Sequence, residues 1–123
     1  LSVSKVLIRI SLQGKGGAEA EVFRHLSPVT LGALLRSMPL QGRVTRYLDE
    51  FLYLTTRVVA GVEKPRSTFK RGDVAFLAAN GAVCLFLKDC TVARPMNPLG
   101  RMLSGIELLE KASPGDVILL ESV

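Results

Sequence analysis

The chain opens on a period of two. Val6, Ile8 and Ile10 alternate with Leu7 and Arg9. Successive side chains of an extended strand point to opposite faces, so this pattern predicts a half-buried strand. Gln13-Gly14-Lys15-Gly16-Gly17 follows as a flexible turn. Alternation resumes from Glu19 to His25, with Ala20, Val22 and Arg24 opposite Glu21 and Phe23. Two such runs around a glycine turn predict an opening hairpin. The period then lengthens: Leu31, Leu34, Leu35 and Met38 fall on one helical stripe. Ser27 is placed to cap that helix, Pro28 suits its first position, and Pro39 ends it.

Further strands are predicted over Gly42–Tyr47 and Phe51–Val59, with a polar turn at Asp49-Glu50 between them. Glu63–Ser67 reads as a surface loop and Lys70–Asp73 as a turn. Val74–Ala78 and Val83–Leu87 flank Asn80-Gly81, two residues that tolerate the positive φ of a tight hairpin turn. Asp89–Pro98 reads as irregular, broken by Pro95 and Pro98. Leu99–Ser104 reads as a short strand, Gly105–Ala112 as a short helix with Ile106 and Leu109 inward, and Val117–Leu120 as the last strand. About eight strands and two short helices, in one domain over residues 1–123, predict a mainly β protein closed into a barrel.

Composition narrows the function classes. The 123 residues are 48% hydrophobic and 22% charged, which suits a packed domain and excludes disorder. No apolar run approaches the roughly 18 residues of a membrane-spanning helix. Leu1-Ser2-Val3-Ser4-Lys5 lacks the apolar centre of a signal peptide. The start at Leu1 reads as processed, trimmed, or a leucine-written start codon, and the expected location is cytoplasmic. The net charge is +5, but the arginines are scattered singly and no basic run with interleaved aromatics appears, so no nucleic-acid partner is expected. The apolar fraction is high for so short a chain and predicts an apolar patch or a homo-oligomer.

No complete catalytic set emerges. Cys84 and Cys90 with the single, distant His25 make a poor zinc site, and the cysteines read as free thiols. Gly14-Lys15-Gly16-Gly17 lacks the spacing and the Lys-Ser/Thr pair of a phosphate loop. Asp49 and Glu50 read as solvated turn acids, and His25 has no partner carboxylate or nucleophile beside it in sequence. No metal and no cofactor are expected. Arg43 and Arg46, near Tyr47 and Tyr53, suit a carboxylate or phosphate, because guanidinium binds such groups through two parallel hydrogen bonds. Positions 43 and 46 face opposite sides of a strand, so only one of them enters a given cleft. Phe69, Phe76 and Phe86 read first as core, with Phe86 a candidate for a cleft wall.

Several strings carry a family resemblance. Gly100–Lys111 resembles the cyclophilin pattern of a glycine-bounded strand running into a short helix. Phe51–Thr56, Gly72–Phe76, Ala82–Leu87 and Asn97–Arg101, in that order, are similar to a small family of uncharacterised prokaryotic cyclophilin-like proteins. The resemblance implies a closed eight-stranded cyclophilin-like barrel with helices at its ends. It does not imply cyclophilin activity, because the Phe-His-Arg and Gln-Gly-Gly-Asp strings of active cyclophilins are absent. Where the small family carries aromatic-Gly-acidic-Glu, this chain has Tyr47-Leu48-Asp49-Glu50. Where the family carries Trp-Pro-Pro-Gly, it has Leu77-Ala78-Ala79-Asn80-Gly81. The expected function is a binding module for a peptide or a small anionic ligand, lined by Arg46, Tyr53, Phe76, Phe86 and Asn97. A degenerate prolyl isomerase and a structural homo-oligomer are the competing readings.

Overall fold

The computed structural model describes residues 4–123; residues 1–3, where the sequence lacks a signal-peptide centre, lie outside the described residues. The opening hairpin forms as expected from β1 (Lys5–Leu12) and β2 (Gly16–Phe23), paired from Lys5↔Phe23 to Leu12↔Gly16. Ile8, Ile10 and Leu12 turn inward together with Ala18, Ala20 and Val22.

α1 (Pro28–Ser37) follows and buries Leu31 and Leu34 against that hairpin's inner face. Its cap differs from the expected one. The Ser27 hydroxyl donates instead to the Pro98 carbonyl at 2.8 Å. The free N–H groups of Val29 and Thr30 donate to the Glu63 carboxylate, at 3.1 and 2.6 Å. The cap therefore comes from 33 residues away, out of a segment that reads in sequence as a plain surface loop.

The remaining elements are β3 (Leu40–Arg43), β4 (Thr45–Tyr47), β5 (Phe51–Thr55), β6 (Arg66–Phe69), β7 (Asp73–Leu77), β8 (Ala82–Phe86), β9 (Cys90–Ser104), α2 (Ile106–Glu110) and β10 (Val117–Ser122). The fold is mainly β with two short helices, but the closed eight-stranded barrel is not what forms. Among the described residues the sheet has ten strands, in the order β3-β10-β1-β2-β9-β7-β8-β5-β4, with β6 attached to β9 off this path. Its two terminal strands, β3 and β4, are joined through Val44 and are not paired with each other. Residues consecutive in one extended segment cannot form a ladder with one another. The Val44 N–H donates to Asp116 O at 2.8 Å and the Gly115 N–H to Val44 O at 3.1 Å, so the segment leaves β10 here and pairs next with β5. The result is an open sheet curled round a large core rather than a hydrogen-bonded barrel.

The second correction concerns β9. Residues 89–98 read as irregular, yet Cys90–Ser104 is one strand of 15 residues. Its first part pairs only with β6, and its second part lies between β2 and β7. Both prolines sit where a missing N–H is tolerated. Pro95 lies in the edge arm beside an irregular register, and Pro98 opposes Ala75 next to a bulge. Gly100 opposes Val22 so closely that a Cβ there would lie 2.0 Å from the Glu21 carbonyl oxygen. Only glycine permits that approach of β9 to β2. Among the described residues no helix is long and apolar enough to cross a membrane.

Candidate functional site

One part of the sheet is covered on both faces. In β5, β7 and β8, Leu52, Leu54, Val74, Phe76, Val83 and Leu85 face the main core. The alternate residues Phe51, Ala75, Ala82, Cys84 and Phe86 face outward into a second cluster with Phe69 and Met96. What covers that outer face is the two-stranded arm of β6 and the first part of β9. The arm is seated by Phe69, which stacks on Phe86 at 4.5 Å with the rings 13° apart, and Phe51 meets Phe86 at 5.1 Å. A sheet buried on both sides reads in sequence as near-continuous apolar runs, as Phe51–Leu54 and Ala82–Leu87 do.

The arm does not cover the whole face. Between it and β4–β5 lies a cleft of about 490 Å³, within the size range of small-molecule sites. One wall is aromatic. Tyr47 stacks on Phe51 at 5.0 Å, and Tyr53 follows at 6.2 Å from Phe51. The floor is Leu77, Ala82, Cys84 and Met96, and the arm contributes Thr91 through Arg94. Glu50 and Asn80 stand at the rim. The lining holds two charged side chains, Glu50 and Arg94, and neither makes an ion pair or a side-chain hydrogen bond among the described residues. A second groove of about 510 Å³, between Ser37–Gln41 and Leu54–Val58, has no aromatic wall and one charge, Arg57.

The structure separates the residues expected to share a site. Tyr53 lines the cleft. Phe86 lies beneath it, fully buried, as part of the aromatic cluster. Phe76, one strand away, points to the opposite face and sits in the main core. Arg46 pairs with Leu52 across β4–β5 and so faces away from Tyr47 and Tyr53. Its guanidinium holds the end of α2, donating to Glu110 O at 3.2 Å and Ala112 O at 3.3 Å. Asn97 is buried, accepting from the Glu63 N–H at 2.8 Å and donating to Thr30 Oγ1 at 3.0 Å and Gly61 O at 2.8 Å. It ties the 56–65 segment, α1 and the base of the arm together.

Of the residues lining the cleft, the sequence reading named only Tyr53 as a ligand contact; it missed the rest, among them both charged groups, Glu50 and Arg94, and the arm residues Thr91, Val92 and Met96. One signal pointed to part of the set. The two positions where the chain departs from the family's strings, Tyr47–Glu50 and Leu77–Gly81, both reach the cleft rim. The glycine of the first string also has a structural reason. Leu48, which replaces it, adopts φ 51°, a left-handed conformation that glycine takes without strain.

The thiols are free, as expected. Burial pushes the Cys84 thiol up to about 12. Burial also raises Cys90, helped by the negative charge of Glu50. Neither is a poised nucleophile, because the reactive species is the thiolate. No three potential metal ligands come together among the described residues.

Comparison with known proteins gives a family and a fold. A family described as cyclophilin-like matches residues 6–121. The solution structure of the hypothetical protein AF2241 from Archaeoglobus fulgidus superposes with a TM-score of 0.81 at 24% identity, covering 99% of this chain and 98% of that one. McbB, solved in complex with tryptophan, superposes with a TM-score of 0.75 at 16% identity. That match covers 93% of this chain and 44% of McbB. At these identities the two structures show the fold alone. No curated protein matches the chain.

Proposed function

The chain belongs to the cyclophilin-like family, and from that premise we propose that it is a binding module whose cleft takes a small ligand with an aromatic or apolar body and an anionic group. The observation that carries this reading is the uncompensated guanidinium of Arg94 on the lining of an aromatic-walled cleft. Apolar clefts with a few convergent polar groups are the usual form of a small-molecule site. Tyr47, Phe51 and Tyr53 supply the surface for the body, and Arg94 supplies the partner for a carboxylate. This keeps the expectation of a small anionic ligand but moves the charge from Arg46 to Arg94, since Arg46 is engaged with α2. McbB, 44% of whose length shares this fold, was solved in complex with tryptophan, an aromatic amino acid, and that lends support to the reading.

NMR titration with 3-phenylpropionate and with L-phenylalanine tests it. Shifts are expected at Tyr47–Tyr53 and Thr91–Met96, with binding weakened about tenfold in Arg94→Gln, the scale of one charged hydrogen bond. Absence of shifts at those residues with both probes, or unchanged affinity in Arg94→Gln, overturns the proposal.

A further inference from the structure

The cleft carries a second charge that an anion site does not need. Glu50 stands at the rim on the β4–β5 side, opposite the arm that bears Arg94. The neighbouring acid, Asp49, points to solvent and reaches Arg46 at 3.7 Å, whereas Glu50 has no such partner. Other described acids are engaged: Glu21 on Arg101, Asp116 on Lys15, Glu110 on Arg71, and Glu63 on the start of α1. Glu19, Glu107 and Glu121 share with Glu50 the lack of a side-chain partner among the described residues; of these four only Glu50 lines the cleft. An unpaired carboxylate on the wall of a site for a plain anion weakens binding, because like charges held in one cleft repel. Beside it, Tyr47 is about half exposed and backed by Phe51, so its ring offers a π face at the same end of the cleft. A carboxylate next to an aromatic face is a site for an ammonium group.

Resting on the reading of this cleft as a ligand site, we propose that its ligand is a zwitterion with an aromatic body. The carboxylate sits on Arg94, the ammonium sits on Glu50 and the Tyr47 ring, and the body lies along Phe51 and Tyr53. Free aromatic amino acids and short peptides with both termini free share this chemistry. The two charges act as a selector, since a ligand with either charge alone leaves one wall unpaired.

Isothermal titration of the full chain tests this with L-phenylalanine, 3-phenylpropionate, phenethylamine and L-phenylalanyl-L-phenylalanine. At least one of the two zwitterions is expected to bind at least tenfold more tightly than both single-charge probes. Glu50→Gln, a near-isosteric change, removes that advantage over 3-phenylpropionate and leaves 3-phenylpropionate itself bound equally or better. Arg94→Gln does the converse with phenethylamine. The tighter of the two zwitterions assigns the source as amino acid or peptide. If 3-phenylpropionate binds as well as both zwitterions and Glu50→Gln changes neither, the inference fails while the anion-binding function stands. If none of the four binds, both fail together.

Discussion

Replacing Glu63 with glutamine perturbs a helix cap without disturbing a core. The carboxylate accepts two backbone N–H bonds at the start of α1, from Val29 and Thr30. Losing a side-chain cap costs about 0.5–2 kcal/mol, and a negative charge at a helix N-terminus is worth about 0.3–1 kcal/mol. Glutamine keeps one carbonyl oxygen, so it retains one bond and loses the charge. The expected loss at pH 7 is about 1–1.5 kcal/mol, a fall in Tm of roughly 3–8 °C for a chain of this size. The pH dependence follows from the ionisation of Glu63. Burial opposes it, but hydrogen bonds from the Thr30 side chain and from the backbone N–H groups of Thr30 and Val29 outweigh burial, so the acid titrates below its ordinary 4.5. Its contribution is therefore complete above the ordinary value and disappears as pH falls through the lower, folded-state value. Urea unfolding of the wild type and Glu63→Gln at a series of pH values measures the gap directly. The gap is expected to be constant from pH 8 to pH 6 and to shrink below pH 4.5 as the wild type loses its charge. A variant as stable as wild type at pH 7, or a gap that persists unchanged at the lowest pH, refutes the reasoning.

Gly100→Ala is expected to cost about 3 kcal/mol or more, because its Cβ would fall 2.0 Å from the Glu21 carbonyl oxygen and force β9 away from β2; chemical denaturation checks this, and a loss below 1 kcal/mol would contradict that packing. At the opposite extreme, Leu48→Gly relieves a left-handed backbone at an exposed site and is expected to leave stability unchanged or raise it by up to about 1 kcal/mol, measured the same way. Cys84 is buried and its thiol is pushed up to about 12, so in the folded chain it stays almost wholly protonated at pH 8. Alkylation at that pH is therefore expected to leave Cys84 unmodified until the chain unfolds, and rapid labelling in the folded state, read by mass spectrometry, would count against it.

Legibility in the sequence followed the number of faces an element buries. The β1–β2 hairpin was plain because one face meets solvent and the other the core, so Val6, Ile8 and Ile10 alternate with Leu7 and Arg9. α1 was plain for the same reason at its own period, and Asn80-Gly81 marked the β7–β8 turn by its backbone demands. Phe76 and Phe86 were not separable. Both lie in runs buried on two sides, and only strand parity assigns the first to the main core and the second to the floor beneath the cleft. The arm of β9 was hidden by Pro95 and Pro98, whose missing donors fall at an edge and beside a bulge rather than inside a regular ladder. With the arm unread, Arg94 and Thr91 had no place beside Tyr53.

The sequence by itself determined a β-rich domain with two short helices, its opening hairpin, its first helix and its family. Those features rest on local periodicity and on backbone preferences, which act over a few residues. Tertiary structure alone decided that the sheet stays open at Val44, that Glu63 caps a helix 33 residues before it, and that Arg94 rather than Arg46 lines the same cleft as the tyrosines. Each of these depends on which face a strand presents and which distant segment lies against it. A one-residue change of parity sends a side chain to the other side of the sheet, and the chain's own spacing of arginines and aromatics does not show where a bulge or an edge proline will make that change.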